Sequence, residues 1–130
     1  WVGIEQLTLE RVLGGLLQPL AWALGISWDE AHLAGSLIGQ KFILNEFVAY
    51  VTYSEVAGQL SPHSQAIVIF ALCGFANLSS IAILLGGLGA VAPGRRDDIS
   101  RYGFRALIAA SLSNLMSAAL AGFFLTLGAA

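Results

Sequence analysis

Polar and apolar positions fall in long blocks along this chain, unlike the short periods of a water-soluble domain. From Val56 to Gly94, and again from Ala106 to Ala130, there is no Asp, Glu, Lys or Arg. Charge-free apolar runs longer than about 18 residues argue for helices surrounded by lipid. A buried helix pair of a soluble protein fits less well, because so short a chain needs charged faces to stay in solution. The blocks predict an all-α integral membrane fold in four pieces.

The first piece covers residues 7–25. Its apolar run from Val12 to Ile26 is short and is interrupted by Gly14, Gly15 and Pro19, with Glu10 and Arg11 in its first turns and Trp1, Trp22 and Trp28 flanking it. Tryptophan rings favour the membrane–water boundary, so an interfacial helix is expected. The second piece, residues 29–54, opens with Ser27 or Asp29 as the expected helix cap. Its apolar positions run to about Leu44, meet Asn45 and Glu46, and resume in "FVAYVTY". Neither half reaches the about 20 residues of a span, so Ala31 to Tyr53 reads as a re-entrant helical hairpin. One continuous helix would bury Lys41 and Glu46 at mid-membrane, at about 2.5–3.5 kcal/mol each.

A polar connector, "SEVAGQLSPHSQ", follows. Ser61 or Ser64 is expected to cap the next helix, and His63 to lie in a loop or at an interface. The third piece, residues 64–91, is too long for one straight span. Its middle, Gly74-Phe75-Ala76-Asn77-Leu78-Ser79-Ser80, suggests a discontinuous transmembrane helix with backbone groups freed for a ligand. The other reading has Ser79 and Ser80 bonding back to their own helix and Asn77 bonding a neighbouring one. Pro93-Gly94 ends this piece. Asp97 and Asp98 are expected to precede the fourth, residues 99–127, a full transmembrane helix rich in Ala, Ser and Gly that permit close packing.

Charge then orients the pieces. Four of the six basic residues, Arg95, Arg96, Arg101 and Arg105, fall in one short window. The positive-inside rule places residues 92–98 in the cytoplasm, with the hairpin opening from outside and the C-terminus outside. The expected location is the inner or plasma membrane. Composition agrees: 57% of residues are hydrophobic and 11% charged, against about 25% charged in ordinary soluble domains. A formal net charge of −2 with no basic patch argues against nucleic acid as a partner. The lone Cys73 is expected to be a packed thiol. No initiator Met is present and the chain begins in mid-pattern, so it reads as a piece of a longer protein; no signal peptide is visible.

The candidate chemistry is a short list of polar groups at membrane depth: Lys41, Asn45, Glu46, Asn77, Ser79, Ser80 and Asn114. All but Asn114 fall at the hairpin tip or the helix break. A carboxylate, amides and hydroxyls suit a neutral polyhydroxylated solute, and Phe75 offers an apolar face for a ring. HExxH, CxxC, GxSxG and glycine-rich phosphate motifs are all lacking, so neither an enzyme nor a metal site is expected. The residues point to half of a secondary transporter. A membrane binding or gating module with the same hairpin is the alternative.

"GQKFILNEFVAY" and "ALCGFANLSSIAILLGGLGAVAPGRRDDISRYGFRAL" resemble the C-terminal part of concentrative nucleoside transporters, from about Leu13 to the end. The resemblance implies a homotrimeric symporter that couples nucleoside uptake to sodium or protons. It implies a transport domain of two re-entrant hairpins and two broken helices related by an inverted repeat. It puts Glu46, Asn77 and Ser80 at the ribose and Phe75 against the nucleoside, with Asn45, Lys41 and Ser79 in support. Asn45 is expected to cap the second half of the hairpin, and Lys41 to pair with a carboxylate or a helix C-terminus. The other hairpin and broken helix, which supply the base-reading residues and the ion ligands, are not in this chain, so no metal site and no cofactor is expected within it.

Overall fold

The computed structural model describes residues 8–128. Among them the regular structure is entirely helical: α1 (Leu9–Ala23), α2 (Trp28–Ile43), α3 (Glu46–Val56), α4 (Pro62–Leu72), α5 (Leu78–Val91) and α6 (Arg96–Gly128), with 3₁₀ turns at Ala57–Gln59 and Pro93–Arg95. Trp1 and Leu7, named above with the first piece, lie outside the described residues.

Helix α1 runs unbroken through Gly14, Gly15 and Pro19, although they interrupt its apolar run. Packing overrides the local penalties, which for an internal proline reach about 3 kcal/mol. The α1 and α2 backbones touch. A Cβ on Gly35 would lie 2.9 Å from the Gln18 amide nitrogen, and one on Gly39 would lie 2.6 Å from Leu13 Cβ. Thr8 caps the start by accepting from the Arg11 amide. The end is a Schellman motif: Gly25 takes a φ of 103°, its N–H bonds Trp22 O, and the Ile26 N–H reaches Ala21 O.

Helices α2 and α3 form a hairpin. Ser27 occupies the cap position of α2, but no side chain makes the expected capping bond there. Asp29 and Glu30 instead place negative charge at the positive end of that helix. The chain breaks at Leu44 and Asn45. Asn45 is extended, with a φ of −167°, and its Oδ1 accepts from the Val48 N–H at 2.9 Å, capping α3. Thr52 Oγ1 donates to Gln40 Oε1 at 2.9 Å, folding α3 back along α2.

Ser61 caps α4 by accepting from Ser64 N, and Pro62 follows at the first helical position. Glu30 holds this cap from α2, accepting from the Ser61 N–H at 2.9 Å and from its hydroxyl at 3.0 Å. Helix α4 stops at Leu72, and α5 starts at Leu78 with Asn77 as its cap. Cys73 marks that stop and is exposed, not packed as expected. Its position at the end of α4 takes it out of the core, and Tyr50 Oη lies 3.2 Å from its sulfur. His63 stands at a helix interface, bonding Gly122 O at 3.1 Å on α6.

Helix α6 begins at Arg96, three residues before the expected Ile99, and so takes Asp97 and Asp98 into its first turn. Acids there suit the helix dipole. Its 33 residues span about 50 Å. Among the described residues it is the one helix long and apolar enough to cross a membrane, and only 17% of its most apolar window is buried. A helix buried in a soluble core would show the opposite. It runs antiparallel along both α4 and α5, meeting His63 with Gly122, Phe70 with Asn114, Ile81 with Gly103 and Gly89 with Arg96. Its contact seam steps by four residues through Asn114, Ala118 and Gly122. Ile67, Val68 and Leu72 of α4 join Leu37 and Ile38 of α2 in a fully buried core.

Candidate functional site

Two interruptions meet in this fold. Each is followed by an asparagine in extended conformation that caps the helix beyond it: Asn45 for α3 and Asn77 for α5. The capped helix ends carry unpaired N–H groups and the positive pole of the helix dipole. Glu46, first residue of α3, brings its carboxylate to this point. Asn77 Nδ2 donates to Glu46 Oε2 at 3.1 Å, so the two breaks are in direct contact.

Asn77 is the hub. It is 4% exposed. Its Oδ1 accepts from the Ser80 N–H at 3.0 Å and from the Ser79 hydroxyl at 2.6 Å. The Ser80 hydroxyl has one proton and two acceptors in reach, Asn77 Oδ1 at 3.0 Å and Phe75 O at 2.7 Å. Asn77 Nδ2 also reaches Phe75 O at 3.2 Å. The helix is interrupted here, and the side chains of Asn77 and Ser80 bond the backbone around the break. Glu46 is half-buried, and Asn77 is its one hydrogen-bonding partner among the described residues. One carboxylate oxygen is thus open to a further donor.

Phe75 is 76% exposed. With Ser80, Ile81, Leu84, Gly103 and Leu107 it lines a groove of about 340 Å³ between α5 and α6. Glu46 and Asn77 do not line that groove. The structure thus brings Glu46, Asn77, Ser79 and Ser80 into one polar cluster and turns the Phe75 ring toward an adjoining apolar space.

Lys41 lies elsewhere. It is fully buried, and among the described residues no carboxylate forms a salt bridge with it. Its Nζ donates to Ala71 O at 2.8 Å, in the last turn of α4, and to Asn114 Oδ1 on α6. Of the two partners expected from the sequence, the helix C-terminus is the one it takes. Sequence reading missed several groups that hold the breaks in place. Tyr50 Oη donates to Ile69 O at 2.9 Å, and Gln40 with Thr52 ties the hairpin arms. Asn114 was visible as the one amide in the last charge-free stretch, but its partner was not.

Interrupted helices whose polar ends converge at one point are the arrangement of secondary membrane transporters. The comparisons narrow that class. The family described as "Na+ dependent nucleoside transporter C-terminus" matches residues 1–122, and the chain belongs to it. It is 55% identical over 130 residues to the putative nucleoside permease NupX of Escherichia coli, covering 98% of this chain and 31% of that protein. It is 49% identical to the nucleoside permease NupC of Helicobacter pylori, covering 97% of this chain and 31% of the relative. The rat sodium/nucleoside cotransporter 1 is 37% identical, over 94% of this chain and 22% of its own length. Among solved structures, CNTnw in an inward-facing substrate-bound state superposes with a TM-score of 0.89 at 55% identity, over 92% of this chain and 30% of that one. A CNTnw variant in an intermediate state gives 0.92, over 98% of this chain and 31% of that one. The chain thus spans about a third of the length of its bacterial relatives.

Proposed function

We propose that this chain supplies the ribose-binding half of the substrate site in a cation-coupled nucleoside symporter that works by alternating access. The observation that carries the reading is the contact between Glu46 and Asn77 at the two helix breaks. An ionised carboxylate with an unused oxygen accepts strongly from paired hydroxyls, and an amide beside it donates. A ribose diol has that complement. Ser80 extends the polar edge, Phe75 offers the ring face, and Asn45, Ser79 and Lys41 hold the frame.

On this reading α1 lies at the membrane surface, α2–α3 is a re-entrant hairpin, α4–α5 is one broken transmembrane helix and α6 spans. The coupling ion, sodium or a proton, binds mainly outside this segment, and the protein assembles as a homotrimer in the inner or plasma membrane. Family membership and the exposed apolar surface of α6 support this placement.

Uridine uptake by the full-length protein tests the site. Glu46→Gln keeps shape and removes the charge. Losing a charge-assisted pair is worth about 1.5–3 kcal/mol, or at least about tenfold in affinity. Near wild-type uptake by this variant would sink the assignment.

A further inference from the structure

The two charges of the hairpin serve opposite ends of the same helix break. Glu46 meets Asn77, which caps the start of α5. Lys41 meets Ala71 O, at the end of α4. A cation suits the carbonyl end of a helix and an anion the amide end. Between them the chain leaves helix for only the residues from Cys73 to Asn77. On the far side stands Asn114 of α6. Its Oδ1 accepts from Lys41, its Nδ2 donates to Phe70 O at 2.9 Å, and its side chain lies against Gly74, where an added Cβ would come within 2.7 Å. Lys41 and Asn114 therefore clamp the end of α4 from two helices, directly before the break.

We infer that the Lys41–Asn114 pair is a positioning latch that fixes the α4–α5 break against the hairpin tip and so sets the alignment of Asn77 and Glu46. Neither residue makes a hydrogen bond to the polar cluster itself. Each acts through the backbone carbonyls of Phe70 and Ala71. Losing the latch lets the end of α4 slide along α6 and carries Asn77 away from Glu46. A misplacement of about 1 Å at a binding constellation is enough to lower its affinity severely.

This inference rests on the transport reading for one of its two readouts, and the test separates them. Full-length protein is prepared as Lys41→Met, Lys41→Arg, Asn114→Leu and the double variant Lys41→Met with Asn114→Leu. The first readout is nucleoside KM against maximal uptake rate. Lys41→Met is expected to raise KM at least about tenfold with a smaller change in maximal rate, and Lys41→Arg to restore most of it. The double variant is expected to match Lys41→Met alone, because members of one network are not additive. The second readout needs no nucleoside: the alkylation rate of Cys73, followed on its own peptide by mass spectrometry. Cys73 follows the clamped turn, so its rate is expected to change several-fold in Asn114→Leu, which alters no charge near the thiol, as well as in Lys41→Met, and to return in Lys41→Arg. Additive effects in the double variant, or an unchanged Cys73 rate in Asn114→Leu, overturn the latch. If wild-type protein handles no nucleoside but Cys73 still responds, the latch stands and the transport reading falls. Should Lys41→Met fail to insert, Asn114→Leu alone carries the second readout, because it removes both the acceptor for Lys41 and the donor to Phe70 O. An unchanged Cys73 rate in that variant refutes the latch.

Discussion

Asn77 donates to Glu46 across 3.1 Å, and with that contact the residue that caps α5 also fixes the first side chain of α3. The two duties are separable by substitution. Asn77→Ala removes the cap, at about 1 kcal/mol; it takes the acceptor from the Ser79 hydroxyl and leaves the Ser80 N–H only the Asn77 backbone carbonyl. Asn77→Ser keeps a capping acceptor, is too short to donate to Glu46 and adds no charge. Thermal melting of the full-length protein should therefore fall for Asn77→Ala more than for Asn77→Ser, while both lose at least about tenfold in nucleoside affinity. Equal melting temperatures for the two variants would show that the capping role is negligible.

Adjacent glycines in α1 make a second, internal control. A Cβ on Gly14 would lie 2.9 Å from the His32 carbonyl oxygen, a backbone atom that cannot swing aside, whereas Gly15 has nothing within 4 Å. Gly14→Ala should force α1 from α2 and destabilise by about 1–3 kcal/mol. Gly15→Ala should stabilise by about 0.5–1 kcal/mol, since alanine loses less backbone entropy in a helix. Melting curves that move in the same direction for both would contradict the close helix contact.

That pair also marks where sequence reading stops. The pattern of apolar blocks placed the breaks near Asn45 and Asn77 because a polar residue between two short apolar runs has few other roles at membrane depth. Asn45 as a cap followed from its type and position. The close contact at Gly14 did not, because glycine is a poor helix former by propensity and its use here is seen only once α2 presses against it. The exposure of Cys73 was equally hidden, since hydropathy gives the depth of a residue but not the face it occupies. Lys41 was legible as an anomaly and not as a solution. Its partners are a backbone carbonyl 30 residues away and an amide 73 residues away, and no local pattern encodes either.

Glu30 links the mouth of the hairpin to the start of α4, holding both the amide and the hydroxyl of Ser61. Glu30→Gln keeps one acceptor and loses the charge. Each hydrogen bond to a charged group is worth about 1.5–3 kcal/mol, and one neutral acceptor recovers part of that. The expected loss is about 1–2 kcal/mol in denaturant or thermal unfolding, with nucleoside KM close to wild type because the polar cluster lies at the other end of the hairpin. A large rise in KM with unchanged stability would instead place Glu30 in the substrate path.

The orientation expected across the membrane rests on the arginines. Arg95, Arg96, Arg101 and Arg105 surround the junction of α5 and α6, and the residues on the opposite junction, from Ala57 to Gln65, include no Lys or Arg. A basic loop is retained in the cytoplasm because translocating it is unfavourable. With Cys73→Ser as background, Gln59→Cys and Gly94→Cys each place a thiol in one of these junctions. A membrane-impermeant maleimide applied to intact cells should label Gln59→Cys, and should label Gly94→Cys only after permeabilisation. The reverse labelling pattern would invert the whole topology, and with it the side from which substrate enters.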